Sequence, residues 1–346
     1  MDARAGNKMA DLLTKLTLVI TTHNRNSYLA RTLDYLSEYK YPIIIADSSS
    51  APYNREIAKG IQYLYTPEKK YTEKLFNALN RVKTPYVLLY PDDDFLIVNA
   101  VESFVTFMDE HPDYSSVQGN CVGFSIKPDK IGVAPAYTNS FKRAFGEDSA
   151  SKRVEQLLSD YMQIYYAVYR TEVLRKSFEF TSEHVTNLII NEVFLSVFSL
   201  VEGKHAVLPV FYFAREAMSD AIGNELFDTI STEERHKPEY SWFMDTTSEL
   251  ISRKDHISKE VALGIMNAGV RKMVSDIDQL VAEVKGKKGE WKTISLLKKV
   301  YRYRLLRAYW TAKKGYPAFF RHDERRELKR IIAMVNKYRT SIYTER

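Results

Sequence analysis

Between residues 16 and 110, short apolar runs alternate four times with segments of helical character, and few architectures accept that pattern. Residues 16–22 read as a strand and 27–39 as a helix with Leu29, Leu33 and Leu36 on one face. Residues 43–46 form a second strand, 52–59 a short helix, 61–65 a third strand and 72–82 a helix. Residues 86–90 are a fourth strand and 99–110 a further helix. Such alternation implies right-handed crossovers and a mostly parallel sheet covered on both faces. Ligands of such sheets sit beyond the carboxyl ends of the strands. Residues 21–25, 47–50 and 92–94 are polar clusters in that position.

The third cluster carries the most chemistry. Asp92, Asp93 and Asp94 directly follow the apolar run Tyr86-Val87-Leu88-Leu89-Tyr90 and Pro91. Three adjacent carboxylates repel one another, so a positive partner should compensate them. A divalent cation is one candidate, because hard cations take carboxylate oxygens. An acidic turn or a helix N-cap is the other reading, since Asp serves both. If the segment stays extended, Asp92 and Asp94 face one way and can share a site.

Further along, Pro112 ends the fourth helix and 116–124 read as a strand. Residues 125–149 show no period and read as a loop. Residues 151–169 and 187–201 read as helices and 205–214 as a strand. From about residue 220 the pattern is helical to the end, broken near 285–289, 315–317 and 322–323. The expected organisation is a polar, flexible 1–15, an α/β domain over 16–215 and a basic helical extension over 216–346.

At 346 residues and 45% hydrophobic content a sizeable core is expected. One cysteine, Cys121, excludes an intrachain disulfide and a cysteine-rich metal cluster. No apolar run reaches the ~18 residues of a membrane span, and residues 1–20 hold no signal-peptide hydrophobic region. The expectation is a cytoplasmic protein. Residues 281–346 carry 19 Lys and Arg against 6 Asp and Glu, so their net charge of +13 exceeds the +6 of the whole chain. That segment interleaves its charge with Tyr301, Tyr303, Tyr309, Trp310, Tyr316, Phe319 and Phe320. It suits either peripheral docking on an anionic membrane or a charged acceptor, or packing within the extension or a homo-oligomer interface. Nucleic acid is not expected, because no nucleic-acid-binding motif accompanies the charge.

Leu18-Val19-Ile20-Thr21-Thr22-His23-Asn24-Arg25 is similar to the opening Val-Ile-Pro-Thr-Tyr-Asn-Arg of family-two glycosyltransferases. Ile43-Ile44-Ile45-Ala46-Asp47-Ser48-Ser49 is similar to that family's second strand, and the run ending Pro91-Asp92-Asp93-Asp94-Phe95 to its DXD strand end. Asn191-Glu192-Val193-Phe194-Leu195 resembles the Glu-Asp-x-x-Leu segment that supplies the catalytic base, and 203–212 resembles the final strand. The resemblance runs from residue 16 to 215. It departs at His23, Ala46, Lys74 and Asn191, where other residues are usual in the family.

The resemblance implies a GT-A fold, which is Rossmann-like with a mostly parallel sheet, here with the C-terminal α-helical extension. It implies metal-dependent, inverting transfer of a sugar from a nucleotide-diphosphate sugar, UDP-linked by preference. The acceptor would be a hydroxyl of a glycan or lipid-linked molecule in surface polysaccharide synthesis. Mn²⁺ or Mg²⁺ would be held by Asp94 and Asp92, with Asp92 also near the ribose and Asp93 facing elsewhere or reaching the donor through water. Thr21, His23 and Arg25 would contact the nucleotide, Arg25 through phosphate. Asp47 would contact base or ribose, or else form an Asx-turn. Lys74 would neutralise pyrophosphate, or else lie on a solvated helix face. Glu192 would be the general base, or else a helix-surface residue, with Glu183 and His184 in reserve. The competing readings are a nucleotidyltransferase and a degenerate GT-A module that binds glycan or membrane. A nucleotidyltransferase usually needs a glycine-rich loop after the first strand, and residues 22–26 contain no glycine.

Overall fold

The computed structural model describes residues 14–126, 131–136, 144–216, 233–286 and 322–345. The first half alternates as β1 (Leu16–Thr22), α1 (Asn26–Leu36), β2 (Ile43–Asp47), β3 (Gln62–Tyr65), α2 (Tyr71–Leu79), β4 (Tyr86–Pro91), β5 (Phe95–Leu96) and α3 (Val98–Glu110). There follow β6 (Tyr114–Ile126), β7 (Ile131–Ala136), α4 (Ala150–Ser159), β8 (Val168–Arg170), α5 (Thr171–Ser182), α6 (Leu188–Glu202) and β9 (Lys204–Glu216). Three long helices complete the described chain: α7 (Lys237–Asp255), α8 (Lys259–Gly286) and α9 (His322–Glu345).

The nine strands of the described residues join one sheet in the order β3-β2-β1-β4-β8-β6-β9-β5, with β7 hairpinned onto β6. β3, β2, β1 and β4 pair in parallel, as do β6 and β9. β8 lies antiparallel between β4 and β6, so both halves of the sheet point the same way. The carboxyl ends of β1, β2, β4, β6 and β9 therefore share one edge. β1 and β4 alternate across the sheet as period-2 geometry demands. Val19, Val87 and Leu89 enter the core under α2 and α4–α8, while Leu18, Ile20, Leu88 and Tyr90 enter the core under α1, α3 and α9.

The structure departs from the sequence expectation in several places. Residues 52–59 form no helix; a piece that short nucleates poorly, and Tyr63 Oη takes the Tyr53 N–H at 2.7 Å. Residues 125–149 are not loop throughout, because β7 pairs with the end of β6 from Ile126↔Ile131 to Cys121↔Ala136. The helix expected over 151–169 stops at Ser159, and Val168–Arg170 instead completes the sheet between Leu88 and Ser116. Tertiary pairing overrides helical period in so short a run. Finally, α5 fills 171–182, where no element was expected.

The described part of the basic extension packs on the domain. α7 and α8 bury Phe243, Ile251, Met266 and Val270 in the first core, and α9 buries Ile331 and Val335 in the second. Lys337 pairs with Asp34 at 2.6 Å and Arg330 with Glu38 at 3.2 Å, so some of the tail's charge is met by α1 and the turn after it. The tail aromatics from Tyr301 to Phe320, and residues 1–13 of the N-terminal stretch 1–15 expected to be flexible, lie outside the described residues. Among the described residues no helix is long and apolar enough to cross a membrane.

Candidate active site

The triplet is a turn, not an extended strand. β4 ends at Pro91, and the Asp94 N–H reaches back to the Pro91 carbonyl at 3.4 Å. Tyr90, buried in the core, donates its hydroxyl to the Asp94 carbonyl at 2.9 Å and accepts the Leu96 N–H at 3.2 Å, which pins the turn from below. The turn directs Asp92 and Asp94 into the protein, each 2% exposed, and leaves Asp93 part-exposed between them.

Arginines supply the compensation that three carboxylates require. Arg25 Nη1 donates to Asp92 Oδ1 at 2.7 Å and to Asp93 Oδ2 at 3.1 Å. Arg215 Nε donates to Asp94 Oδ2 at 2.9 Å, and the Glu216 N–H donates to Asp94 Oδ1 at 3.0 Å. Thr22 Oγ1 completes the Asp92 shell at 2.6 Å. Burial nonetheless pushes the Asp92 carboxyl up, opposed chiefly by Arg25, and the Asp94 carboxyl up, opposed chiefly by Arg215. Burial works against the charge of Arg25, but Asp92 and Asp93 outweigh it and raise that guanidinium.

The loops after β1 and β2 are tied together. Asn24 takes a left-handed conformation, φ 54°, which Asn tolerates better than most residues. Its N–H donates to Ser49 Oγ at 2.7 Å, and its Oδ1 accepts the Ser50 N–H at 2.9 Å. His23, exposed, meets the Ser48 carbonyl through Nδ1 at 2.8 Å. Thr21 lies in register with Ala46 and Pro91, half-buried. Asp47 is fully buried: Oδ1 accepts the Ser49 N–H at 2.8 Å and Oδ2 the Tyr63 hydroxyl at 2.7 Å. Asp47 thus forms an Asx-turn, and its two carboxylate oxygens take donors from Ser49 and Tyr63.

Lys74 is not on a solvated helix face. α2 carries it inward to 3% exposure, where Nζ donates to the Thr22 carbonyl at 2.8 Å and Ser48 Oγ at 2.9 Å. Burial lowers its pKa to about 8, with Asp92 and Asp47 holding it up. It is a point charge between the ends of β1 and β2.

Glu192 is in the fifth residue of α6, whose N-terminus is capped by Asn187 Oδ1 accepting the Ile189 N–H at 2.9 Å and the Ile190 N–H at 3.1 Å. Its carboxylate accepts Tyr161 Oη at 2.9 Å and Gln163 Nε2 at 2.7 Å. Burial raises its pKa, while those two hydrogen bonds and Arg215 pull it down. Asn191 beside it is buried and donates to Tyr165 Oη at 2.8 Å. The reserve candidate His184 instead stacks on Trp242 at 5.2 Å, near α7.

The arrangement brings Arg25, Lys74, Asp92, Asp93, Asp94 and Glu192 to one sheet edge. Sequence reasoning missed Arg31, Gln163, Arg215 and Glu216. Arg215 and Glu216 are the last residues of β9 at that same edge, just past the strand expected over 205–214, which was a usable signal. Gln163 lies in a stretch read as helix and offered none.

Among the described residues no three His, Cys, Asp or Glu side chains converge as a metal cage. The donor set still fits a hard cation that draws most of its shell from a bound diphosphate and water. Asp92 and Asp94 point inward, and each of their four oxygens takes one donor and keeps a second lone pair for such a cation.

The geometry can be set beside known proteins. Residues 17–178, just under half of the chain, match the family model for Glycosyl transferase family 2. No curated protein matches the chain in sequence. Among solved structures, S. aureus TarS 1–349 in complex with UDP is similar at 14% identity and TM-score 0.51, over 80% of this chain and 78% of that one. The same fragment without that ligand gives 13% identity and TM-score 0.47, over 77% and 92%. Its complex with UDP-GlcNAc gives 12% and 0.46, over 77% and 92%. The likeness to the UDP complex is one of fold. The mixed, mostly parallel sheet with helices on both faces is a GT-A fold, and its family-two-like part ends before Glu192.

Proposed function

We propose that this chain is an inverting, nucleotide-sugar-dependent glycosyltransferase of the hexosyl-transferring type. It would move a sugar from a nucleotide diphosphate to a hydroxyl of a glycan or lipid-linked acceptor in surface polysaccharide synthesis. The observation that carries this reading is the joining of the Asp triplet to Glu192 at one sheet edge, through Arg215 and Gln163. The family match over residues 17–178 supports the class of reaction. UDP in the structural neighbour makes a UDP-sugar the first donor to test.

In this reading Arg25 and Lys74 draw the diphosphate to the ends of β1 and β2, with Thr21 and His23 beside the nucleoside. Asp94 and Asp92 would hold Mn²⁺ or Mg²⁺, which when bound supplies Lewis-acid stabilisation of the departing diphosphate. Glu192 takes the proton of the acceptor hydroxyl. One base and one displacement give inversion.

A thermal-shift screen of nucleoside diphosphates with and without Mn²⁺ tests the donor side, because a ligand that binds only the native state raises apparent stability. Release of free UDP from UDP-sugars tests turnover. Absence of both a shift and turnover across the common nucleotides would remove the proposal. Docking of the basic segment on anionic membrane is a separate proposal. It predicts sedimentation with anionic vesicles that salt reverses.

A further inference from the structure

We propose that Gln163 is a positioning residue that orients the Glu192 carboxylate and couples it to Arg215. This rests on the reading of Glu192 as the acceptor base. Gln163 lies in the irregular stretch between α4 and β8. Its Nε2 donates to Glu192 Oε2 at 2.7 Å, and its Oε1 accepts from Arg215 Nη1 at 2.7 Å. A guanidinium only donates and an ionised carboxylate only accepts, so one amide orientation alone satisfies both neighbours.

Each neighbour is held in turn. Arg215 donates through Nε to Asp94 at 2.9 Å and lies over the Tyr166 ring at 4.6 Å. The Gln163 carbonyl accepts the Gln118 amide at 3.4 Å, which ties the stretch to β6. The second Glu192 oxygen is fixed by Tyr161 Oη at 2.9 Å. The groups facing Glu192 are the phenols of Tyr161, Tyr71, Tyr165 and Tyr169 and the charge of Arg215. Among the described residues no carboxylate is one of them.

The chemical value of an amide here is its neutrality. A guanidinium directly on Glu192 would favour the carboxylate strongly and leave it a weak base. Without the amide, burial would be opposed at short range by the Tyr161 hydroxyl alone, and the carboxyl would be pushed further up. An intervening amide donates one neutral hydrogen bond, sets the carboxylate plane, and holds the cation one side chain away. The amide thus opposes the upward push of burial on the Glu192 carboxyl without placing a cation directly on it.

The test follows the Glu192 carboxyl by carbon NMR in the full chain, with the resonance assigned by its loss in Glu192→Gln. In Gln163→Leu, loss of a hydrogen bond to the charged form should raise the Glu192 pKa by about one unit. Gln163→Asn keeps the amide but shortens its reach, and should raise it by less. Turnover of UDP-GlcNAc provides the second arm: kcat should fall about 10–100-fold in Gln163→Leu with donor KM unchanged, a loss within the range of general-base effects. In the Glu192→Gln background the same change should have no further effect, because the two residues act as one unit. An unmoved Glu192 titration in both Gln163 variants overturns the inference, and so does an equal loss of kcat in the Glu192→Gln background. Wild-type turnover by Glu192→Gln would instead overturn the base reading, while the titration would still report on the coupling.

Discussion

Arg31 Nη1 donates to Glu216 Oε2 at 2.8 Å, and both side chains are sealed from solvent, at 0% and 1% exposure. Arg31 belongs to α1 and Glu216 is the last residue of β9. The pair therefore joins the first crossover helix to the last strand, 185 residues on. The second guanidinium nitrogen, Nη2, donates to the Asp93 carbonyl at 2.7 Å, so the same arginine backs the acidic turn.

A buried ion pair contributes little net stability, because desolvation offsets its attraction, but breaking one side strands a charge. Arg31→Met should lower the unfolding free energy by about 3–5 kcal/mol. Arg31→Met with Glu216→Leu should recover much of that loss. Urea denaturation measures both, and an equal loss in the single and double variants would show that the pair is not coupled.

Asp94→Asn keeps one oxygen to accept from Arg215 or the Glu216 N–H but turns an amide N–H towards the other donor, so the fold should survive with its unfolding free energy lowered by about 1–3 kcal/mol. Metal-dependent nucleotide binding and transfer should disappear. Calorimetric titration of UDP with and without Mn²⁺ checks this. Undiminished metal-dependent affinity would place the metal elsewhere.

Glu192→Gln keeps the shape and removes the basicity. kcat should fall by about 10²–10⁴-fold with donor affinity nearly unchanged. Because burial raises the Glu192 pKa, the acid limb of the kcat profile should lie above the ordinary glutamate value of about 4.3, with activity lost as pH falls through it. A collapse of donor affinity with kcat retained would make Glu192 a donor-binding residue.

Asp255 caps a helix from a distance. At the end of α7 it accepts the Ala150 N–H at 2.8 Å, the Ser151 N–H at 2.7 Å and Ser149 Oγ at 2.7 Å, at the start of α4. Burial works against its charge, but the bonds from Ser151, Ser149 and Ala150 prevail and lower its pKa to about 2. A depressed carboxylate contributes stability that is present above its unfolded pKa, near 4, and lost as pH falls through about 2. Asp255→Ala should cost about 0.5–2 kcal/mol at neutral pH, as lost caps do. It should also flatten the stability profile between pH 4 and 2, measured by denaturant titration at each pH.

The first half of the fold was legible because its signals are local. The runs at Leu16, Ile43 and Tyr86 are apolar on both faces, as buried parallel strands must be, and the polar clusters at their ends mark the ligand edge. The second half was less legible. β8 is three residues long and β5 two, and neither offers a period to read. They exist because Leu88, Ser116 and Phe213 present unpaired backbone to them.

The same division runs through the site. By itself the sequence determined the carboxylates and their place at a strand end, because strand and turn chemistry are written within a few residues. Only the tertiary structure decided what neutralises them. Arg25 and Arg215 reach the triplet from positions 67 and 121 residues away along the chain. No local pattern encodes that meeting, because it depends on parallel strands bringing their carboxyl ends to one edge. The fate of Asp47 and Lys74 was decided in the same way: Asp47 was turned under its loop by Tyr63, and Lys74 was drawn inside by the Thr22 carbonyl. A buried polar group takes whichever partner the packed fold places within reach, since leaving it unpaired costs more than any local preference returns.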